Sequence, residues 1–452
     1  MLDQSRDRAF GRWERDASEA RGDPLRDEGP VLAGELTISD AVALALLDNK
    51  SLAGALKQRD VTEGQIKNAR SSLFPVVTLA AGYTRLDPKY ETTRLLDQYQ
   101  TSLRVDQLLY TGGRLQAAIR GAQLERDRVD EAIRQQQEAV AFETVTAYLD
   151  ALLAQHMVQV KADAVASARK HLEQSRKRYQ NDVATEYDVL RAKVDVAVFE
   201  AEEVQQRNRL HLAKASLFRA MGAAQDSEVQ LVDALHFAPV HTSQEEALAQ
   251  AQRARPELRA AQLLAEQSEE RVRLAAADYL PRISAFGTGT LNHPDPLTPL
   301  ERELDDETTV GVALEWTLFA GGARDGDVET ERARLEQQIL SLLDTREQIR
   351  YEVRQAYLSV QDQAEFVASQ RENTELANRG LELVQAGADA EVNTALDVLD
   401  ARTALTRAKG LYYQSLHAHS LARLSLHRAM GKLRAAVLQP PANETPTPTE
   451  TR

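Results

Sequence analysis

Not one of the 452 residues is a cysteine. That absence excludes disulfide frameworks, cysteine-ligated zinc, thiol catalysis and an N-terminal lipoprotein cysteine. Aromatic residues are scarce at 5%, while 27% of the chain is charged, a balance that fits extended helices and coiled coils better than ordinary domains. No run of about 18 apolar residues occurs, so no transmembrane helix is available. There is no basic stripe either, and a formal net charge of −14 speaks against a nucleic-acid partner, whose phosphates need a positive surface. Met1 to Glu35 lacks the apolar core of a signal peptide and instead carries Arg6, Asp7, Arg8, Arg12 and Arg15.

What is present is written twice. Arg219-Ala220-Met221-Gly222 recurs as Arg428-Ala429-Met430-Gly431, an offset of 209 positions. The same offset carries Val183, Thr185, Asp188, Val189 and Leu190 onto Val392, Thr394, Asp397, Val398 and Leu399. It also carries Tyr110-Thr111-Gly112-Gly113 onto Phe319-Ala320-Gly321-Gly322. Upstream the offset falls to 206, where Phe74-Pro75 matches Leu280-Pro281, as a loop of different length between Thr84 and Ser102 would produce. Matches held in one register over such a span are the mark of a duplication.

Each half has the same expected order. An amphipathic helix runs from Ser39, with Ser39-Asp40 as N-cap, to about Ser72; its counterpart runs from about Ser243 to Tyr279. Pro75 and Pro281 stop them. Two alternating segments follow, then a proline-free stretch, Arg114 to about Met221 and Arg324 to about Met430. These stretches are too long for single globular helices, so each is expected to be a hairpin of long helices. Val158, Val165, Leu172 and Tyr179 sit at seven-residue intervals, matched more weakly by Val367, Thr374, Leu381 and Ala388, which implies helices supercoiled on each other. In the alternating segments Val77, Leu79, Ala81 and Tyr83 share one face. Leu103, Val105 and Leu109 oppose Arg104 and Asp106, and Val310, Val312, Leu314, Trp316 and Leu318 oppose Glu315 and Thr317. This pattern fits a half-buried soluble sheet or lipid-facing barrel strands of about 10 residues. Arg282 to Thr290 alternates poorly, with Phe286 on the wrong face.

Taken together, the Leu-Phe-Pro entry to a strand, the aromatic-x-Gly-Gly exits and the Asp-Val-Leu segment in each long region resemble the TolC-type outer-membrane efflux family. The similarity extends over Leu36 to Gly431, with Trp316-Thr317-Leu318-Phe319-Ala320-Gly321-Gly322 especially close. The resemblance implies a mainly α fold with a small β portion: a long antiparallel helical tunnel plus four transmembrane strands per protomer, closed as a twelve-stranded barrel by a homotrimer. It implies a passive, non-enzymatic duct of a tripartite efflux or type I secretion system. It would lie in the outer membrane of a Gram-negative-type bacterium with a periplasmic extension, its partners outer-membrane lipid, a periplasmic adaptor and an inner-membrane transporter. Physics favours the oligomer independently, since four strands cannot close a barrel and open sheet edges are not tolerated in hydrocarbon.

By the same resemblance Asp397 and Asp400, with Asp188 in the first half, are expected to form carboxylate rings at a periplasmic gate. Asp397 and Asp400 lie one helical turn apart, so like-charge crowding is expected to raise some of their pKa values. The ordinary alternative is a helix-capping acid. Asp182, Val183, Thr185, Glu391, Val392 and Thr394 form the expected partner-docking tip. Asp182 and Glu391 stand where the family usually has glycine, and Asn181 is the residue expected to take the left-handed turn instead. The glycine pairs fit a strand-to-helix transition rather than a phosphate loop, since no Gly-x-Gly-x-x-Gly or Gly-Lys-Ser/Thr pattern follows them. His417 and His419 are poorly spaced for one metal site, and no cofactor is expected. Trp316 is expected to be lipid-facing or interfacial.

The expected organisation is a charged, unstructured segment 1–35, a first repeat 36–222, a linker 223–242, a second repeat 243–431, and a Pro/Thr-rich unstructured tail 432–452. Export requires a signal, which is expected upstream of Met1. Two other readings stand beside the duct. A soluble coiled-coil scaffold of duplicated hairpins has no need of four strands with aromatic-Gly-Gly exits, and an envelope-polymer hydrolase lacks a paired acid in any plausible cleft.

Overall fold

The computed structural model describes residues 29–87, 89, 96–293, 305–390 and 392–438. The elements in chain order are β1 (Ala33–Leu36), α1 (Ile38–Asp48), α2 (Lys50–Ser71), β2 (Val76–Arg85), β3 (Asp97–Tyr110), α3 (Arg114–Gln180) and α4 (Glu186–Met221). They continue as β4 (Glu228–Leu231), α5 (Gln244–Ala254), α6 (Pro256–Ala276), a short 3-10 turn (Ala277–Tyr279), β5 (Arg282–His293), β6 (Asp305–Glu315), α7 (Ala323–Asp389), α8 (Ala395–Ala429) and α9 (Leu433–Leu438). Mainly helical, with long helices and four antiparallel strands, this is the expected fold class, in two halves of the same order. The chain divides into two compact units, 54–135 with 255–350, and 29–53 with 136–254 and 351–438.

The first unit holds a four-stranded antiparallel sheet in the order β2-β3-β5-β6. Its register puts Val77, Leu79, Leu103, Val105, Val310, Val312 and Leu314 on one face, where all are exposed, Val310 to 82%. Thr78, Ser102, Arg104, Asp106, Thr288 and Thr309 share the other. An apolar face this exposed is the inverse of a soluble sheet and suits hydrocarbon. Phe286, paired with Asp106 in register, does lie on the polar face. Its ring packs over Gly311, where an added Cβ would sit 2.8 Å from the ring. The Arg104 guanidinium lies over the ring, 5.5 Å from its centroid, and is clamped by Asp106 through bonds of 2.7 and 2.8 Å. The broken alternation of β5 is therefore a local cluster, with the strand pairing intact.

At the strand-to-helix passages the glycine pairs take left-handed backbone, with φ of 63° and 88° at Gly112 and Gly113 and 62° and 88° at Gly321 and Gly322. A side chain at Gly112 would also meet Leu280 Cβ at 2.7 Å. The pairs turn the chain out of the sheet, as expected. Trp316 is half exposed and donates through Nε1 to the Tyr279 carbonyl at 3.1 Å.

The second unit is a stack of antiparallel helices. Lys161–Glu202 (2.8 Å), Arg169–Glu200 (2.6 Å) and Arg219–Glu143 (3.2 Å) stitch α3 to α4. His417–Asp150 (2.7 Å) and the His156–Tyr413 stack, with centroids 4.4 Å apart, join α3 to α8. Tyr148, Leu152, Leu217, Met221, Leu426 and Leu433 are fully buried. Of the heptad positions, Val165 and Val367 are core, whereas Tyr179 is 46% exposed.

Several boundaries differ from expectation. The first helix is two, because Asn49 adopts extended backbone. Its Oδ1 accepts from Ser51 and Leu52 N–H at 3.0 and 3.2 Å, capping α2, while Nδ2 donates to the Ala220 carbonyl at 2.9 Å. The cap of α1 is Thr37, whose hydroxyl accepts from the Asp40 amide; Ser39 instead bonds the Val437 carbonyl. The second helix breaks at Arg255, which precedes Pro256 and is forced extended. Three stretches expected to lack structure or to link repeats hold elements: β1 pairs in parallel with β4, and α9 buries Leu433 completely. These short elements depend on partners nearly 200 residues or more away, which no local pattern reveals.

Candidate gate and docking tip

The two hairpin turns are built from different chemistry. In the first, Asn181 still donates to the Lys177 carbonyl and continues α3. Asp182 follows with φ of 59°, donating to Tyr179, while Val183 donates back to Arg178 at 2.9 Å. This is the double bond of a helix C-terminus closed by a left-handed residue. The expectation of Asn181 at that position is thus corrected to Asp182, because the helix runs one residue further. Asp182 is the one non-glycine residue with positive φ among those described.

In the second turn Val392 and Asn393 both donate to the Gly387 carbonyl, at 2.8 and 3.2 Å, and Asn393 Nδ2 donates to the Val384 carbonyl at 3.1 Å. A Cβ on Gly387 would lie 2.3 Å from that Nδ2. Sequence reasoning missed Asn393; its one signal is the preference of asparagine for helix ends and turns. Glu391 lies outside the described residues. Val183 and Val392 are exposed, to 58% and 78%, as a docking surface requires.

The helices that leave the two turns start identically. Thr185 caps α4 and Thr394 caps α8, each in a reciprocal capping box. Asp188 Oδ2 accepts from Thr185 N and Oγ1 at 2.9 and 2.8 Å. Asp397 Oδ2 accepts from Thr394 N and Oγ1 at 2.8 and 2.7 Å. Within one chain both carboxyls are therefore held below the usual range, Asp188 chiefly by the Thr185 amide and Asp397 chiefly by the Thr394 hydroxyl. The upward shift is expected of rings crowded in an assembled trimer; within the single chain Asp188 and Asp397 cap their helices. Asp400, one turn further on, is exposed. In the first half exposed Arg191 takes the place of Asp400, so acid is concentrated in the second hairpin.

His417 and His419 do not form a pair: His417 bonds Asp150, whereas His419 is fully buried with its ring centroid 4.7 Å from that of Phe237. No metal-holding cluster of His, Cys, Asp and Glu occurs among the described residues, and none of the described helices is long and apolar enough to cross a membrane.

Comparison with known proteins places this arrangement. The sequence pattern of the family described as "Outer membrane efflux protein" matches residues 41–223 and 247–432. The outer membrane protein TolC of Vibrio cholerae is 23% identical over 390 residues, covering 85% of this chain and 88% of that protein. The alkaline protease secretion protein AprF of Pseudomonas aeruginosa is 24% identical over 423 residues, 87% of this chain and 84% of that one. The crystal structure of the outer membrane protein VceC from Vibrio cholerae superposes with a TM-score of 0.72 at 21% identity, covering 87% of this chain and 96% of that one. The family pattern spans most of the chain and both repeats, so the protein belongs to the outer membrane efflux protein family: it is a TolC-type channel of the Gram-negative outer membrane, and not an enzyme.

Proposed function

We propose that three copies of the chain assemble into one duct. Each contributes β2, β3, β5 and β6 to a twelve-stranded barrel whose apolar face meets outer-membrane lipid, and each repeat, 36–222 and 243–431, supplies one helical hairpin to a periplasmic tunnel. The observation that carries this reading is the four-stranded sheet itself. It ends in two open edges, at β2 and β6, and exposes a continuous apolar face. Edges of that kind must be paired before they enter hydrocarbon, because an unpaired N–H or C=O there costs several kcal/mol.

At the tip, Asp397 and Asp400 contribute six carboxylates per trimer, and the capped Asp188 adds three that Arg191 offsets. Such rings favour cations and repel anions. Asp182, Val183, Thr185, Glu391, Val392 and Thr394 present the surface on which a periplasmic adaptor docks, coupling the duct to an inner-membrane transporter. The tip chemistry supports docking that differs between the hairpins, since one turn is closed by a strained aspartate and the other by an asparagine side chain.

The test is assembly. Expressed with an export signal and extracted in mild detergent, the protein is expected in the outer-membrane fraction and as a trimer by light scattering. A folded, detergent-free monomer would remove the trimeric duct.

A further inference from the structure

Between α3, α4, α7 and α8 lies a partly open cavity of about 170 Å³. Phe199, Leu381 and Leu405 supply apolar wall, and Arg402, Lys409, His171, Asp163 and Asp195 also line it. Neither the gate nor the tip uses these residues.

Arg402 is the anomaly. Its Nη1 donates to the Ser167 carbonyl at 3.2 Å, but its Nε is buried with no hydrogen-bond partner among the described residues. Burial holds its pKa below the usual arginine value. A buried guanidinium edge without an acceptor is unfavourable, and a planar carboxylate is the group whose two oxygens match it. Asp163 accepts from Gln159 at 2.9 Å, and His171 is held below its usual pKa by burial first and then by the Arg402 charge.

Size and charge narrow the ligand. An apolar cavity of about 150 Å³ accommodates a benzene ring, so this one fits a single ring or a short aliphatic chain with one headgroup. Lys409 lies seven residues beyond Arg402, about 10 Å along α8, and adds a second positive charge to the same wall. With Asp163 and Asp195 in the wall, a second negative charge would be repelled.

We propose that this cavity binds a small monocarboxylate of about benzoate size, its carboxylate on the Arg402 guanidinium and its hydrocarbon part against Phe199 and Leu405. A ligand held there touches both hairpins at once. The site lies within one chain and does not depend on the trimer or the gate assignment.

The experiment is fluorine NMR titration of the full chain in non-ionic detergent, with 4-fluorobenzoate and its neutral counterpart 4-fluorobenzyl alcohol as probes and detergent alone as blank. Saturable benzoate binding is expected, at least about tenfold tighter than the alcohol, as a charge-assisted bond implies. Arg402→Met should weaken benzoate by a similar factor and leave the alcohol unchanged. Equal affinity for the two probes would reduce the site to an apolar void, and no saturable benzoate binding would remove it. Unchanged benzoate affinity in folded Arg402→Met would overturn the role of the guanidinium. Should that variant fail to fold, the two probes on the unaltered protein still decide.

Discussion

Replacing Thr394 with alanine separates the two roles that converge on the tip of the second hairpin. The hydroxyl donates to Asp397 Oδ2 at 2.7 Å and accepts from the Asp397 amide at 3.3 Å, so the substitution removes both side-chain links while sparing every charge. Loss of a threonine cap costs about 1 kcal/mol. If local opening governs exchange, that corresponds to about fivefold faster hydrogen exchange in the first turn of α8, with little change in the middle of the helix. Mass-spectrometric exchange on peptides spanning 392–402 reads it directly. The companion pair is Asp397→Asn and Asp397→Ala. Asparagine keeps an oxygen that accepts from the Thr394 amide and removes the charge, whereas alanine removes both. Asp397→Asn combined with Asp400→Asn should therefore weaken cation selectivity and divalent block in planar bilayers, and should accelerate exchange less than Asp397→Ala does. Unaltered exchange in Thr394→Ala, or identical exchange in the asparagine and alanine variants, would refute the capping assignment. Unaltered selectivity in the assembled double asparagine variant would refute the gate.

Other outcomes follow from the same geometry. Because capping lowers the folded-state pKa of Asp188 and Asp397, their contribution is present above the unfolded value of about 3.9 and is lost as pH falls through the lower folded value. Protection of the first turns of α4 and α8, corrected for intrinsic exchange, should hold from neutral pH to about pH 4 and decline below it. Gly222→Ala should lower the thermal midpoint. Gly222 has φ of 74°, and a Cβ would sit 2.5 Å from the Asp48 carbonyl oxygen; the left-handed strain alone costs about 1–2 kcal/mol. Tyr148→Phe removes the bond from a fully buried hydroxyl to the Leu36 carbonyl, 2.7 Å long, and should cost about 1 kcal/mol, seen as faster exchange in β1.

Much of the architecture was legible because duplication repeats each signal. The Arg-Ala-Met-Gly pair marks the ends of α4 and α8, and the glycine pairs mark the exits from the sheet. Alternation located three of the four large strands cleanly, and the fourth was blurred by Phe286, whose partner Gly311 lies on another strand. Short-range competition hid the rest. Ser39 and Thr37 are equally good caps in sequence, and only the bond from Ser39 to Val437 decides between them. Asn181 and Asp182 both tolerate left-handed backbone, and the length of α3 decides there. Arg402 reads as an ordinary helix-surface arginine, since nothing nearby in sequence indicates that Phe199 and Leu381 line the same cavity.

The contact between Ser39 and Val437 has a consequence for how such a chain can be wired. The beginning of the first repeat and the end of the second are neighbours, and β1 and β4 lie side by side just before the helices that open each repeat. A short connection can therefore join the start of α1 to the end of α9, and the chain can be reopened within 238–243, exchanging the order of the repeats. A gene encoding one repeat, copied in tandem, needs no new junction geometry to make the two-repeat chain.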